Sequence, residues 1–209
     1  MGSEETSKKA SRCAGRPRCF DEAQVLDRAL ELFWKDGYAS TSMQSLLDHM
    51  GISRQSLYNT FGDKRRLFLA ALDRYIDMRA DQMLSALEAP GASYPEIVRF
   101  FHQLGESRTA EKPRGCLIGK SCMELGSEDP EVAERVLAFF SRTVDAFQHA
   151  LDNAVSQKQI EPLNTAATAR HLTATLNGLG LLAKGGVPHD QLGDVVEVSL
   201  SVLRPVAAG

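Results

Sequence analysis

Apolar positions recur at helical spacing along most of this chain, and no alternation of period two lasts more than a few residues. Val25, Leu26, Ala29, Leu30 and Phe33 mark a first helix. Asp21 opens it, with Gln24 three residues on as a capping-box partner, and Gly37 closes it. Leu46, Leu47, Met50, Ile52, Leu57 and Phe61 form the apolar side of two short helices joined at Gly51, where φ > 0 is expected. Ser53 reads as the N-cap of the second of these. A fourth helix starts at Asp63 and runs to about Glu88, where Pro90-Gly91 breaks it. Ser93-Tyr94-Pro95-Glu96 opens another to about Ser107, and Thr109 to Arg114 is a polar loop. A short helix follows from Gly115 to Leu125. Asp129-Pro130 caps a long one to about Lys158, and Asn164 caps the next, to about Lys184. Gly185, Gly186 and Pro188 interrupt the chain before a last helix from about His189 to Arg204. The pattern predicts an all-α protein of about nine helices, with no internal repeat.

The two short helices carry the chemistry. The polar face of the second presents Arg54, Gln55, Ser56, Tyr58 and Asn59, all hydrogen-bond donors and none negatively charged. Such a face suits a DNA major groove, where Arg can bond guanine and Gln or Asn can bond adenine. Lys64 stands in the first turn of the fourth helix, where the helix dipole disfavours a cation and a bound phosphate would reverse that cost. Tyr58 and Lys64 therefore read as phosphate contacts. Thr41 and Ser42, at the start of the second helix, are candidates for capping and for phosphate contact together.

Residues 20 to 68 resemble the DNA-binding domain of TetR-type transcriptional regulators. The resemblance rests on the first helix FDEAQVLDRALELFWKDGY, the turn to STSM, and GISRQSLYNTFGDKRRLF, with the Leu57-Tyr58 pair and Lys64 in register. It implies a helix-turn-helix head at residues 20–66 and an effector-binding and dimerisation body at 67–209.

Charge sharpens this division. The net charge is −3, yet residues 1 to 20 hold five cations against two carboxylates, leaving −6 for the rest. A basic end on an acidic body confines DNA contact to one end of the molecule. Residues 1–19 lack helical periodicity and read as a flexible basic arm. Within it, Gly15-Arg16-Pro17-Arg18 resembles an AT-hook core, which places Arg16 and Arg18 as minor-groove candidates.

No apolar run reaches the ~18 residues of a membrane span, and residues 1–19 have no apolar signal segment, so the expectation is a cytoplasmic protein. Cys13, Cys19, Cys116 and Cys122 make no CxxC pair and read as free thiols. No metal site or cofactor motif is present. Without a Ser-His-Asp set, P-loop or HExxH, an enzyme is not expected.

The body is less legible. Phe100, Phe101, Leu104, Leu117, Met123, Phe139, Phe140, Phe147 and Asn177 are candidates for lining an effector pocket between helices. Gly178 and Gly180 would leave it room. Cys116, after Arg114-Gly115, reads first as a buried inert cysteine; the alternative is reaction with electrophiles, since a helix start and a neighbouring cation favour a thiolate. Some regulators that this chain resembles through RGCL sense reactive compounds this way. The last two helices are broadly apolar, through Leu172, Leu176, Leu179 and Leu182, then Leu192, Val195, Val196, Leu200 and Leu203. They read as a homodimer seam, which a two-fold operator also requires, with a deep core within one chain as the alternative.

These readings combine into a homodimeric regulator, a repressor released from a palindromic double-stranded operator by a small molecule or reactive effector. The alternative is an architectural or division-linked DNA binder of the same fold with no small ligand; a filled body would favour it.

Overall fold

The computed structural model describes residues 20–106 and 115–206. The basic arm with Cys13, Arg16, Arg18 and Cys19, and the whole of the expected polar loop from Thr109 to Arg114, lie outside the described residues. Nine helices run through the described part: α1 (Glu22–Asp36), α2 (Met43–Met50), α3 (Arg54–Phe61), α4 (Lys64–Glu88), α5 (Tyr94–Glu106), α6 (Leu117–Leu125), α7 (Pro130–Ser156), α8 (Thr165–Lys184) and α9 (His189–Leu200).

Local chemistry sets most of these boundaries. Asp21 Oδ1 accepts from the amides of Ala23 and Gln24, at 2.9 and 3.4 Å. Ser42, Ser53 and Asp63 cap α2, α3 and α4 in the same way. Gly51 turns the chain between α2 and α3 at φ +69°, a left-handed conformation that costs a side-chain-bearing residue. At α5 the capping box closes, with the Ser93 amide donating to Glu96 Oε2 at 2.9 Å.

The head packs α1 against α2 and α4 over Phe33, Leu46, Met50, Leu57 and Phe68, all essentially inaccessible to solvent. In the body, α7 packs against α4, α5, α6 and α8, and α9 closes on α5 and α8. Long α4 thus belongs to both parts. Three arginine–carboxylate bridges tie α4 to α7 or its cap, at three levels. Arg65 bonds Asp129 through Nε (2.6 Å) and Nη2 (2.8 Å), Arg135 grips Asp73, and Arg142 grips Glu88.

The last helix is shorter than its sequence pattern. It ends at Leu200, not at Arg204, because the chain turns back to pair with the α7–α8 connection. The Glu161 amide donates to Arg204 O at 2.8 Å and the Val206 amide to Gln159 O at 3.0 Å. Leu203 is buried by that turn, so apolar periodicity continued past the point where helical hydrogen bonding stopped.

Candidate functional site

The recognition face is built from one anchor and its exposed neighbours. Leu57 is wholly buried and fixes α3 on the head core. Arg54, Gln55, Tyr58 and Asn59 are exposed around it, and Ser56 is half-buried. Gln55 Nε2 donates to Asn59 Oδ1 at 2.9 Å, so the two amides hold each other one turn apart. Ser53 Oγ accepts from the Ser56 amide at 3.1 Å and lies 3.0 Å from Ser56 Oγ.

The flanking candidates divide. Ser42 is exposed, and its Oγ accepts from the Ser45 amide while donating to Ser45 Oγ. Thr41 is 2 % exposed and its hydroxyl donates to Gly37 O, so it secures the α1–α2 turn and offers no hydroxyl to a phosphate. Lys64 Nζ lies 4.3 Å from the centre of the Tyr38 ring, a cation–π contact. Burial holds its ammonium below the ordinary lysine range, and Glu124 opposes that shift.

The body contains a cavity of about 730 Å³ between α4, α6, α7 and α8. Of the pocket candidates, Leu104, Cys116, Met123, Phe139, Phe140 and Asn177 line it, and Gly180 leaves it room. Phe100, Phe101, Leu117 and Phe147 do not. Phe101 and Phe147 stack at 5.7 Å between ring centres, with Phe100 edge-on to both, and this cluster fills the α5–α7 interface as core. Leu117 is 1 % exposed in the same core. Trp34, Tyr75, Arg79, Met83, Lys120 and Lys184 are among the wall residues that sequence reasoning missed, and Cys122, Leu176 and Leu181 line it as well. Trp34 belongs to the head and Tyr75 and Arg79 to α4, so nothing local marks them as cavity residues.

One end of the cavity is polar. Trp34 Nε1 donates to Gly115 O at 2.7 Å, and the Leu117 amide donates to Tyr75 Oη at 3.3 Å. Burial pushes the Tyr75 hydroxyl well above its ordinary pKa, which keeps it neutral. Lys120 is pushed down by burial first and by the like charge of Lys184 next, with Glu124 and Asp36 opposing.

Helix α6 joins this wall to the head. Lys120 Nζ donates to Trp34 O (2.8 Å) and Lys35 O (2.7 Å), carbonyls in the last turn of α1. One turn on, Glu124 Oε2 accepts from the Tyr38 amide (2.8 Å) and the Ala39 amide (3.2 Å). The cation meets the carbonyl end of the helix, as the helix dipole favours, and the anion is held by hydrogen bonds from the amides that follow.

A helical head whose α3 presents a donor-rich face, joined to a hollow helical body, is the architecture of a helix-turn-helix regulator. Residues 25–71 match the family model for bacterial regulatory proteins of the tetR family, and 97–185 match a tetracyclin repressor-like C-terminal domain. An uncharacterised HTH-type transcriptional regulator of Bacillus subtilis, YezE, is 42% identical over 193 residues, covering 90% of this chain and 99% of that protein. The HTH-type transcriptional repressor ComR of Escherichia coli is 28% identical, covering 89% and 90%. Among solved structures, a cysteine mutant of the TetR family regulator CifR, complexed with 26-bp double-strand operator DNA, superposes with a TM-score of 0.76. It is 27% identical and spans 90% of this chain and 100% of that one. Reduced E. coli NemR shares the fold, with a TM-score of 0.80 at 17% identity over 89% of this chain and 98% of that one. The chain belongs to the tetR family and is a DNA-binding transcriptional regulator. Among the described residues, no helix is long and apolar enough to cross a membrane.

Proposed function

We propose that this chain is a cytoplasmic homodimeric repressor, without enzymatic activity, that an effector in the body cavity releases from a two-fold operator. Residues 20–66 serve as the DNA-reading head and 67–209 as the effector and dimer body. Arg54, Gln55 and Asn59 read base edges, and Ser42, Tyr58 and Lys64 hold phosphates. The observation that carries the reading is the clasp of Lys120 and Glu124, which ties a wall of the cavity to the end of α1 and the turn beyond it. A ligand that favours a different position of α6 must then also favour a different head position, which is the differential affinity that release demands. A hollow body also weighs against the architectural alternative.

The dimer seam is narrower than apolar content suggests. Leu192, Val196, Leu200 and Leu203 pack within the chain's own core, as do Leu172, Leu176 and Leu179. The faces left apolar and open on α8 and α9 are Leu182, Val195 and Val198 (70% exposed), with Val202 just beyond α9; Leu181 (61%) is open too and also lines the cavity. A side chain built at Gly178 would meet nothing within 4 Å, which leaves room for close approach of a second helix.

Selection of bound duplexes from a random pool tests this reading. The full chain should enrich two inverted half-sites, and Val198→Glu should yield a folded monomer with lost operator binding. A selected pool with no inverted repeat, or a dimeric Val198→Glu chain of unchanged affinity, would overturn it.

One observation favours a reactive effector as a second reading. Cys116 lines the cavity beside Arg79, Lys120 and Lys184 rather than lying sealed in the core. On that reading electrophiles release DNA from the native chain and not from Cys116→Ser; equal release from both excludes it.

A further inference from the structure

The cavity is mostly apolar along its length, through Trp34, Met83, Leu104, Phe139, Phe140 and Leu176. Its charged lining is of one sign. Arg79, Lys120 and Lys184 contribute to the wall, and no aspartate or glutamate does among the described residues.

The three cations gather around the start of α6. Lys184 lies over Gly115, so close that a side chain there would meet its Cδ at 2.8 Å. Lys120 stands one turn after Cys116 and is held near the end of α1 by its two carbonyl bonds. Arg79 stands one turn after Tyr75, whose hydroxyl accepts from the Leu117 amide. Cys116 occupies the N-cap of α6 without a side-chain capping bond, which adds positive character at the same place. Other arginines of α4 and α7, Arg65, Arg74, Arg135 and Arg142, are neutralised by bidentate carboxylates. Arg79 and Lys184 have no carboxylate within ion-pair distance among the described residues.

Arg79 and Lys120 are half-buried beside the apolar cavity, where a charge pair is stronger than in open water, and Lys184 is exposed at the same end. A neutral apolar ligand would fill the walls and leave these charges uncompensated. An acid group with an apolar body satisfies both ends together. We infer that the effector is an apolar carboxylic acid, its carboxylate among Arg79, Lys120 and Lys184 and its aromatic or alkyl body against Phe139, Phe140 and Leu176. The inference rests on the cavity being the effector site. Lys120 then has a double role. Its ammonium holds Trp34 O and Lys35 O at the end of α1, so a carboxylate drawing it inward competes with that hold. The sign of the effect is release of the head.

Calorimetric titration and thermal shift with matched probes test the class of ligand. 2-Naphthoate and decanoate are compared with 2-naphthamide and decanol on the full chain. Each acid should bind about tenfold more tightly than its neutral partner, the worth of roughly one charge-assisted hydrogen bond. That preference should disappear in the Arg79→Gln/Lys184→Gln double variant, whose shorter neutral side chains leave the apolar walls intact. Equal binding of acid and neutral partners, neutral partners binding better, no binding of either acid, or a preference that survives the double variant would overturn the inference. Release of selected operator DNA is measured separately. Acid binding without release would refute the repressor mechanism and leave the ligand class standing.

Discussion

Glu124→Ala should destabilise the protein by severing α6 from the head. In the native chain Glu124 Oε2 takes two backbone amides, from half-buried Tyr38 at 2.8 Å and exposed Ala39 at 3.2 Å. Hydrogen bonds to a charged group contribute about 1.5–3 kcal/mol each, and an amide left without a partner adds its own penalty. Water can replace the acceptor at Ala39, so most of the cost falls on Tyr38. The expected loss is roughly 2–3 kcal/mol. For a chain of this length each kcal/mol shifts Tm by about 2–4 °C, so the melting point should fall by about 4–12 °C. Glu124→Gln keeps a carbonyl acceptor and loses the charge, and should cost about half as much. Thermal melts followed by circular dichroism give these shifts. Hydrogen exchange should show the Tyr38 amide losing protection first. Lys120 holds the same joint through Trp34 O and Lys35 O, so Lys120→Met and Glu124→Ala should combine non-additively. An Ala variant melting with the native protein, or a Gln variant as damaged as the Ala variant, would refute the reasoning.

Two further outcomes are expected. Gln55→Ala should relax base preference at a cost of about 1–3 kcal/mol on the preferred site, while Lys64→Ala should weaken all sequences alike and lower the salt slope by about one; matching patterns in binding across salt and operator variants would remove that division. Asp129 and Glu88 are held below the usual carboxylate range, chiefly by the hydrogen bonds of Arg65 and Arg142. A depressed folded pKa gives stability that is present above the unfolded value, about 4, and lost as pH falls through the folded one. Asp129→Asn, which still caps α7, should therefore be less stable than the native chain at neutral pH and lose less on acidification. Urea midpoints that differ equally at neutral and acid pH would contradict the linkage.

The sequence by itself determined the helices and the character of the head. Capping residues and turn glycines act within a few residues of themselves, so Ser42, Ser53, Asp63, Gly51 and the Ser93–Glu96 box did locally what their chemistry dictates. The polar face of α3 was equally legible, because a single buried Leu57 fixes which side points out. Tertiary structure alone decided what each apolar face of the body meets. Periodicity says that a face is apolar; it does not say whether core, cavity or a second chain covers it. Phe101 and Phe147 became core while Phe139 and Phe140 reached the cavity, and Leu200 turned inward while Val198 stayed open. The end of α9 was set by the pairing of Ile160 with Pro205, some 45 residues apart. The link from cavity to head lay furthest from any local signal. Lys120 and Glu124 sit on a short helix and find their partners more than 80 residues earlier in the chain, at the end of α1 and the turn that follows. Only packing α6 against the head brings those charges to these backbone groups, and no spacing along the sequence encodes that distance.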